Sequence, residues 1–427
     1  MVPVRPRVTN LRYRLVVVLV TAVSATLAGP ALVAGDSPTA DVVTVDDSSG
    51  ADFGSIQAAV DAAEPGDTVR VHPGVYAETV TVDVGIRLTA PRDAVLDGSA
   101  LPDDAVAFRI RGHVAPVIAG FTVRHYNVGV RASSPADWTL RDTVVRNASW
   151  KAVGAAGTEG DWRIHGVTVV NSDAGIAAAS SSGDWTITET TVRNVTEGNG
   201  IDAQASSGDW TLRRVSLVDV SFAAVAASFS TGDWRVANST IRDATVGVGA
   251  IEARGNWTVN GSTILDGSVS DRYDFWQPRL KEGVGVYAPR TNGSWAVHHT
   301  RFANNARGAI VAPGASPPGD ATPNQWTGSA ASTSERCVGN VDCRATTDPE
   351  AADDSTPART PADGPPREGR RTETNVTGTA SRGTAVSGGT RAPSNQSSQP
   401  RTAVVSLLLV GVAGVAAGVV LAVRSLE

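Results

Sequence analysis

Apolar and polar residues alternate along this chain in short runs of three to five, and from residue 138 onward the alternation is itself periodic. Trp138, Trp162, Trp185, Trp210, Trp234 and Trp257 recur every 23 to 25 residues, and Trp295 follows after 38. The surrounding text repeats with them: GDWRIHGVTVVN, GDWTITETTVRN, GDWTLRRVSLVD, GDWRVANSTIRD, GNWTVNGSTILD. The second residue after each Trp is Leu140, Ile164, Ile187, Leu212, Val236, Val259 or Val297, and the seventh is Val145, Val169, Val192, Leu217, Ile241, Ile264 or Phe302. Such alternation predicts a strand with one apolar face. The ninth is always Asn or Asp: Asn147, Asn171, Asn194, Asp219, Asp243, Asp266, Asn304. These residues tolerate a left-handed backbone and bond their own chain, so the column predicts a turn. Gly175-Ile176, Gly200-Ile201, Gly247-Val248 and Gly285-Val286 then open a further short strand. No unit offers an uninterrupted helical face.

A period near 24 with two or three short strands predicts an all-β fold, a parallel β-solenoid whose coils pair at ~4.8 Å. Residues 42–345 would supply about twelve coils, a rod roughly 60 Å long. A terminal coil exposes both core and strand edge. FGSIQAAVDAA (53–63) predicts an N-terminal capping helix, because Phe53, Ile56, Val60 and Ala63 share one helical face and Pro65-Gly66 ends it. The Trp column, sharing a face with an apolar column, reads as an internal stack rather than an exposed track for sugar rings.

The two ends have different patterns. Residues 1–34 hold Arg5, Arg7, Arg12 and Arg14 ahead of an apolar run, with no acid and no Arg-Arg pair, the order of a secretory signal peptide on a general export route. Residues 402–423 (TAVVSLLLVGVAGVAAGVVLAV) are uncharged and long enough for a transmembrane helix, with Arg424 as the cytoplasmic flank. Residues 346–401 are rich in Thr, Ser, Pro, Gly and Arg and nearly free of bulky apolar residues, which predicts a disordered stalk. The expected location is the cell membrane, single-pass, with the large domain outside.

Composition narrows the chemistry. The net charge of −6 excludes a basic nucleic-acid binder. Two cysteines exclude a Cys-rich metal site, and Cys337 and Cys343 are expected to form a disulfide outside the cell. The six histidines lack ligand spacing, and Lys151 and Lys281 are the only lysines. Sequons at Asn147, Asn194, Asn238, Asn256, Asn260, Asn292, Asn375 and Asn395 are candidate glycosylation sites. Asp137, Asp161, Asp184, Asp209 and Asp233 form a column that reads first as Asx-turn chemistry in solvent. Its second reading is a ridge for a cation such as calcium, centred on Asp161, Asp184, Asp209 and Asp233. The insertion SVSDRYDFWQPRLKE (268–282) is the candidate ligand-binding loop: Tyr273, Phe275 and Trp276 for stacking, Asp271, Asp274 and Arg279 for hydrogen bonds.

The stretch VTVDDSSGADFGSIQAAVDAAEPGDTVRVHPGVYAETVTV resembles the opening of right-handed parallel β-helix proteins of the pectin-lyase-like superfamily. The 24-residue coils resemble NosD-type repeats, and NQWTG…CVGNVDC is similar to the final coil and disulfide loop of NosD-like archaeal surface proteins. The resemblance implies fold more than function. The Q-D-T, D-F-x-F-G and G-R-P-W motifs of pectinesterases are absent, and Tyr273-Asp274-Phe275-Trp276 does not match them. Arg beside Asx recurs in Arg193-Asn194 and Arg242-Asp243, as turn chemistry rather than as one lyase site. The reading is therefore a membrane-anchored surface β-helix for recognition or envelope structure, without a catalytic residue or cofactor. Its partners would be surface glycans or envelope proteins. The alternative is a polysaccharide lyase, hydrolase or esterase on the β-helix groove. A NosD-like role in metal maturation is weaker, for want of Cys or His clusters.

Overall fold

A computed structural model describes residues 40–48, 50–133, 137–267, 283–327 and 337–343. The expected signal peptide, stalk, transmembrane helix and insertion 268–282 lie outside the described residues, as do Asn375 and Asn395. Among the described residues no helix is long and apolar enough to cross a membrane.

The described chain winds into a parallel β-solenoid. One sheet has thirteen strands, from Val42–Val45 to Val341–Asp342, and contains every tryptophan strand of the repeat. A second sheet of twenty strands wraps the other faces. Equivalent residues pair coil to coil: Trp162 faces Trp185, Ile164 faces Ile187, and Val169 faces Val192.

Each regular coil turns at three left-handed corners. The first lies four residues after Trp, at Asp142, Gly166, Glu189, Arg214, Asn238, Gly261 and His299, with φ between 49° and 65°. The sequence reading ran one strand through this point; the chain turns there instead. The second is the Asx column, where φ is 52–57° from Asn147 to Asn304. The third holds Gly157, Ser180, Ala205, Phe229, Glu252, Arg290 and Gly314, at 52–70°. Non-glycine residues occupy this region at a cost that their surroundings must offset.

The seven tryptophans of the repeat, Trp138 to Trp295, point inward and are at most 4% exposed. Six successive ring pairs stack with centroids 4.7–5.1 Å apart and planes within 18° of parallel. The long interval does not break the stack, because Trp257 and Trp295 remain in register. The insertion leaves and re-enters at touching backbones: a Cβ on Gly283 would lie 1.9 Å from the Gly267 carbonyl oxygen.

The helix α1 is shorter than the sequence reading placed it. It spans Ile56–Ala62, with Ser55 as N-cap, and buries Ile56, Ala59 and Val60. Phe53 lies outside it and bridges Val45 in parallel. The start is fixed from afar: the Glu78 carboxylate accepts hydrogen bonds from Ile56 N–H, Gln57 N–H and the Ser55 hydroxyl at 2.9–3.0 Å. A carboxylate is favoured where helical N–H groups lack partners. At the other end, Cys337 and Cys343 are joined by a disulfide across the last strands.

Candidate functional site

The Gly-Asp-Trp phrase can be read residue by residue. Gly lets neighbouring coils touch: a Cβ at Gly208 would sit 2.1 Å from the Gly183 carbonyl oxygen, and Gly232 and Gly255 are equally tight. Trp points inward to the stack. Asp points outward and ties one coil to the next.

The backbone N–H groups of Asp161, Asp184, Asp209, Asp233 and Asn256 each donate to the Oδ1 of the preceding Asp at 2.7–2.8 Å. The expected Asx turn, a bond to the residue's own chain, is thus replaced by a ladder between coils. This offsets the mutual repulsion of stacked carboxylates, because each oxygen faces a donor rather than only its neighbours' charge. One oxygen per Asp remains for solvent or ligand, except at Asp233, whose Oδ2 accepts from Asn256 Nδ2 at 3.1 Å. Calcium takes 6–8 oxygens at about 2.3–2.6 Å, so such a ridge would leave most of its shell to water. Among the described residues no three His, Cys, Asp or Glu converge to hold a metal.

Beside this ridge runs an open groove of about 700 Å³ on the outer face of the tryptophan sheet. Its rim is Asp161, Asp184, Asp209, Asp233, Asn256 and Ser294; its floor is Arg163, Thr186, Thr211, Arg235, Thr258 and Ala296. Alternation explains the division. The Trp strand turns its first and third residues inward, so the second becomes floor and the preceding Asp becomes rim. The floor column was missed in the sequence, although its residues follow directly on each Trp.

The Asx corner forms a second ladder. Asn194 Nδ2 donates to Asn171 Oδ1 at 2.7 Å, and Asn171 Nδ2 donates to Asn147 Oδ1 at 3.2 Å. Asn147 Nδ2 lies 3.2 Å from His125 Nε2, and His125 Nδ1 lies 3.0 Å from Asp97 Oδ1. An Nδ1–H tautomer of His125 lets Nε2 accept from Asn147 while Nδ1 donates to Asp97. Burial pushes the Asp97 pKa up, but the hydrogen bonds from His125, Ser99 and Arg124 prevail and hold it far below the usual carboxylate range. Further along, Asp219, Asp243 and Asp266 replace the amides; burial and then the Asp266 charge push the Asp243 pKa up. Of the sequons, Asn147 and Asn194 have their amides in this ladder, Asn256 donates to Asp233, and Asn260 Oδ1 lies 3.3 Å from His299 Nδ1. Asn238 occupies a left-handed corner, and Asn292 is exposed.

The coil geometry has solved counterparts. The A-module of the Azotobacter vinelandii mannuronan C-5 epimerase AlgE4 superposes with a TM-score of 0.50 at 13% identity, over 69% of this chain and 94% of that one. The fold is that of the right-handed parallel β-helix. A polygalacturonase from Erwinia carotovora ssp. carotovora aligns with a TM-score of 0.42 at 12% identity, covering 75% of this chain and 100% of its own. At these identities the likeness is one of fold. No family model matches this sequence, and neither does any curated protein sequence.

Proposed function

We propose that this chain is an exported, membrane-anchored β-helix that holds an extended glycan along the outer face of its tryptophan sheet. The supporting observation is the groove: about 700 Å³, open, and built by repeating one polar rung per coil, Asp with Thr or Arg in four coils and Asn256 with Thr258 in the next. A surface that repeats along one axis suits a ligand that repeats, and polar rungs over a flat sheet offer hydrogen bonds to hydroxyls without an enclosed pocket. The epimerase module that shares the fold is named for its action on mannuronan, a polysaccharide. In this reading residues 1–34 direct export, 402–423 anchor the chain, 346–401 hold the solenoid off the membrane, and α1 closes the first coil. The insertion with Tyr273, Phe275 and Trp276 supplies a second contact loop.

Affinity electrophoresis of the full-length chain in gels of polysaccharides tests this. Arg163→Gln with Arg235→Gln should reduce retention about tenfold; Tyr273→Ala with Trp276→Ala should reduce it if the loop contributes. Retention by no glycan overturns the reading. Unsaturated product or released methanol on incubation with uronate polysaccharides replaces it with the enzymatic alternative.

A further inference from the structure

Trp150 stands outside the tryptophan period and outside the core. It is 46% exposed, whereas the seven stacked tryptophans are at most 4% exposed. Two cations lie against its ring: Lys151 Nζ is 4.3 Å from the ring centroid and Arg131 Cζ is 5.7 Å away. Arg131 is also in register with Arg109 of the preceding coil, so two guanidinium groups leave adjacent strands on one face. The same column continues as Gly154 and then Ala177, which leaves the sheet beside Arg131 bare of long side chains.

Arg109, Arg131 and Lys151 are each only part-exposed. Among the described residues none of them makes an ion pair or a side-chain hydrogen bond. Part-buried cations without a counter-charge are unfavourable. The electrostatics agree: burial lowers the Lys151 pKa, with Asp202 opposing and Arg131 adding to the shift, and burial followed by the charges of Arg131 and Arg111 lowers that of Arg109, with Asp104 opposing. Two carboxylates lie near the patch, Asp202 two coils beyond Lys151 and Asp104 beside Arg109, and neither forms an ion pair with these cations. The net charge of −6 makes this positive patch a local exception.

We propose that this face is a binding site for an acidic saccharide. The guanidinium groups of Arg131 and Arg109 engage its carboxylate or sulfate, and Trp150 packs against its ring over the bare floor at Gly154. Guanidinium forks match planar acids, and tryptophan and arginine are among the residues enriched in binding hot spots. The inference rests on the glycan-binding reading but uses a different face, so the two can fail separately.

Titration calorimetry of the full-length chain at low salt, with oligogalacturonate, a sulfated oligosaccharide and a neutral cello-oligosaccharide of equal length, decides it. An acidic probe should bind at least tenfold tighter than the neutral one and weaken as salt rises. Trp150→Ala and Arg131→Gln should each lower that affinity about tenfold, and Trp150→Phe should retain most of it; all three substitute part-exposed or exposed side chains, and unchanged thermal unfolding verifies the fold. Acidic probes that bind no tighter than the neutral one overturn the inference and leave the groove reading standing. So does acid binding that disappears with Arg163→Gln and Arg235→Gln but survives Trp150→Ala. Binding of no probe, charged or neutral, overturns the inference, and the groove reading is then decided separately by retention in the polysaccharide gels.

Discussion

In the coils before residue 120 the inner column of the first sheet is Val43, Val69, Leu88 and Ile118, spaced unevenly along the sequence, and Ile86 stands where later coils place tryptophan. From Trp138 onward each rung repeats the same residue types at nearly constant spacing. The early coils are held by contacts that occur once. Glu78 caps α1, Gln57 and Thr81 exchange hydrogen bonds, and the Tyr126 hydroxyl donates to the Glu78 carbonyl at 2.7 Å. The later coils are held by contacts that recur: the indole stack, the Asp ladder and the Asx corner. In a solenoid, stability is close to a sum of rung and neighbour terms. Loss of a recurring contact should therefore scale with the neighbours it has, whereas loss of a unique contact should loosen one region.

The largest effect should come from the middle of the stack. Trp210 is 2% exposed and has a ring on either side. Trp210→Ala removes a large core side chain, at a cost of about 3–5 kcal/mol. Trp138, at the end of the stack, has one stacked neighbour. Trp138→Ala should cost less, by roughly the 0.5–1.5 kcal/mol of one aromatic pair. Equal costs by denaturant unfolding would mean that burial alone, and not stacking, distinguishes these coils.

Next comes Glu78→Ala in the irregular coils. It leaves two N–H groups and one hydroxyl at the start of α1 without their acceptor, a loss of about 2 kcal/mol. Hydrogen exchange should accelerate in residues 56–82 while the strands from Trp185 to Asn260 keep their protection. Uniform acceleration would show the two regions to be one cooperative unit.

What the sequence disclosed follows the same division. The indole stack, its apolar partners and the Asx corner were legible because their residue types recur in every coil. The other two corners were not, since Glu189, Arg214 and His299 share no type that signals a left-handed backbone. The length of α1 was misread because the carboxylate that fixes its start, Glu78, lies more than twenty residues from it in the chain. The Asp ladder was seen as a column, but its acceptor role toward the next coil needs the register. Of the candidate sites, the insertion was conspicuous as a break in period; the groove floor was hidden in positions that vary among Thr, Arg and Ala. Trp150 had one overlooked signal: it is a tryptophan off the period, followed by one of only two lysines in the chain.

A smaller effect is expected at the corner ladder. Asn171 is left-handed at φ 55° and both accepts from Asn194 and donates to Asn147. Asn171→Ala loses both bonds and puts a side chain with no local polar partner into that backbone region, at about 1–2 kcal/mol in all. Asn171→Gly, which relieves the backbone but not the ladder, should recover part of this in thermal unfolding. No difference between Ala and Gly would assign the whole loss to the amide bonds.

The same corner carries the smallest and most discriminating test, because its second half holds acids where the first half holds amides. Asp243 lies in a column with Asp219 and Asp266, and burial raises its pKa, with the Asp266 charge adding to the rise. A carboxyl with a raised pKa binds its proton more tightly in the folded state than in the unfolded one. Stability is then lost as pH rises through the window that begins near the unfolded value of about 3.9 and ends at the raised value. Asp243→Asn cannot lose a proton and brings an amide donor between the Asp219 and Asp266 carboxylates. It should therefore be more stable than the parent at pH 7, by less than about 1 kcal/mol, and the gain should disappear below about pH 4. A gain of the same size at pH 3 would place its origin in the amide's hydrogen bonds rather than in charge. No gain at either pH would mean that the acid half of the corner is as well satisfied as the amide half, and that the two halves of the ladder differ in composition without differing in strength.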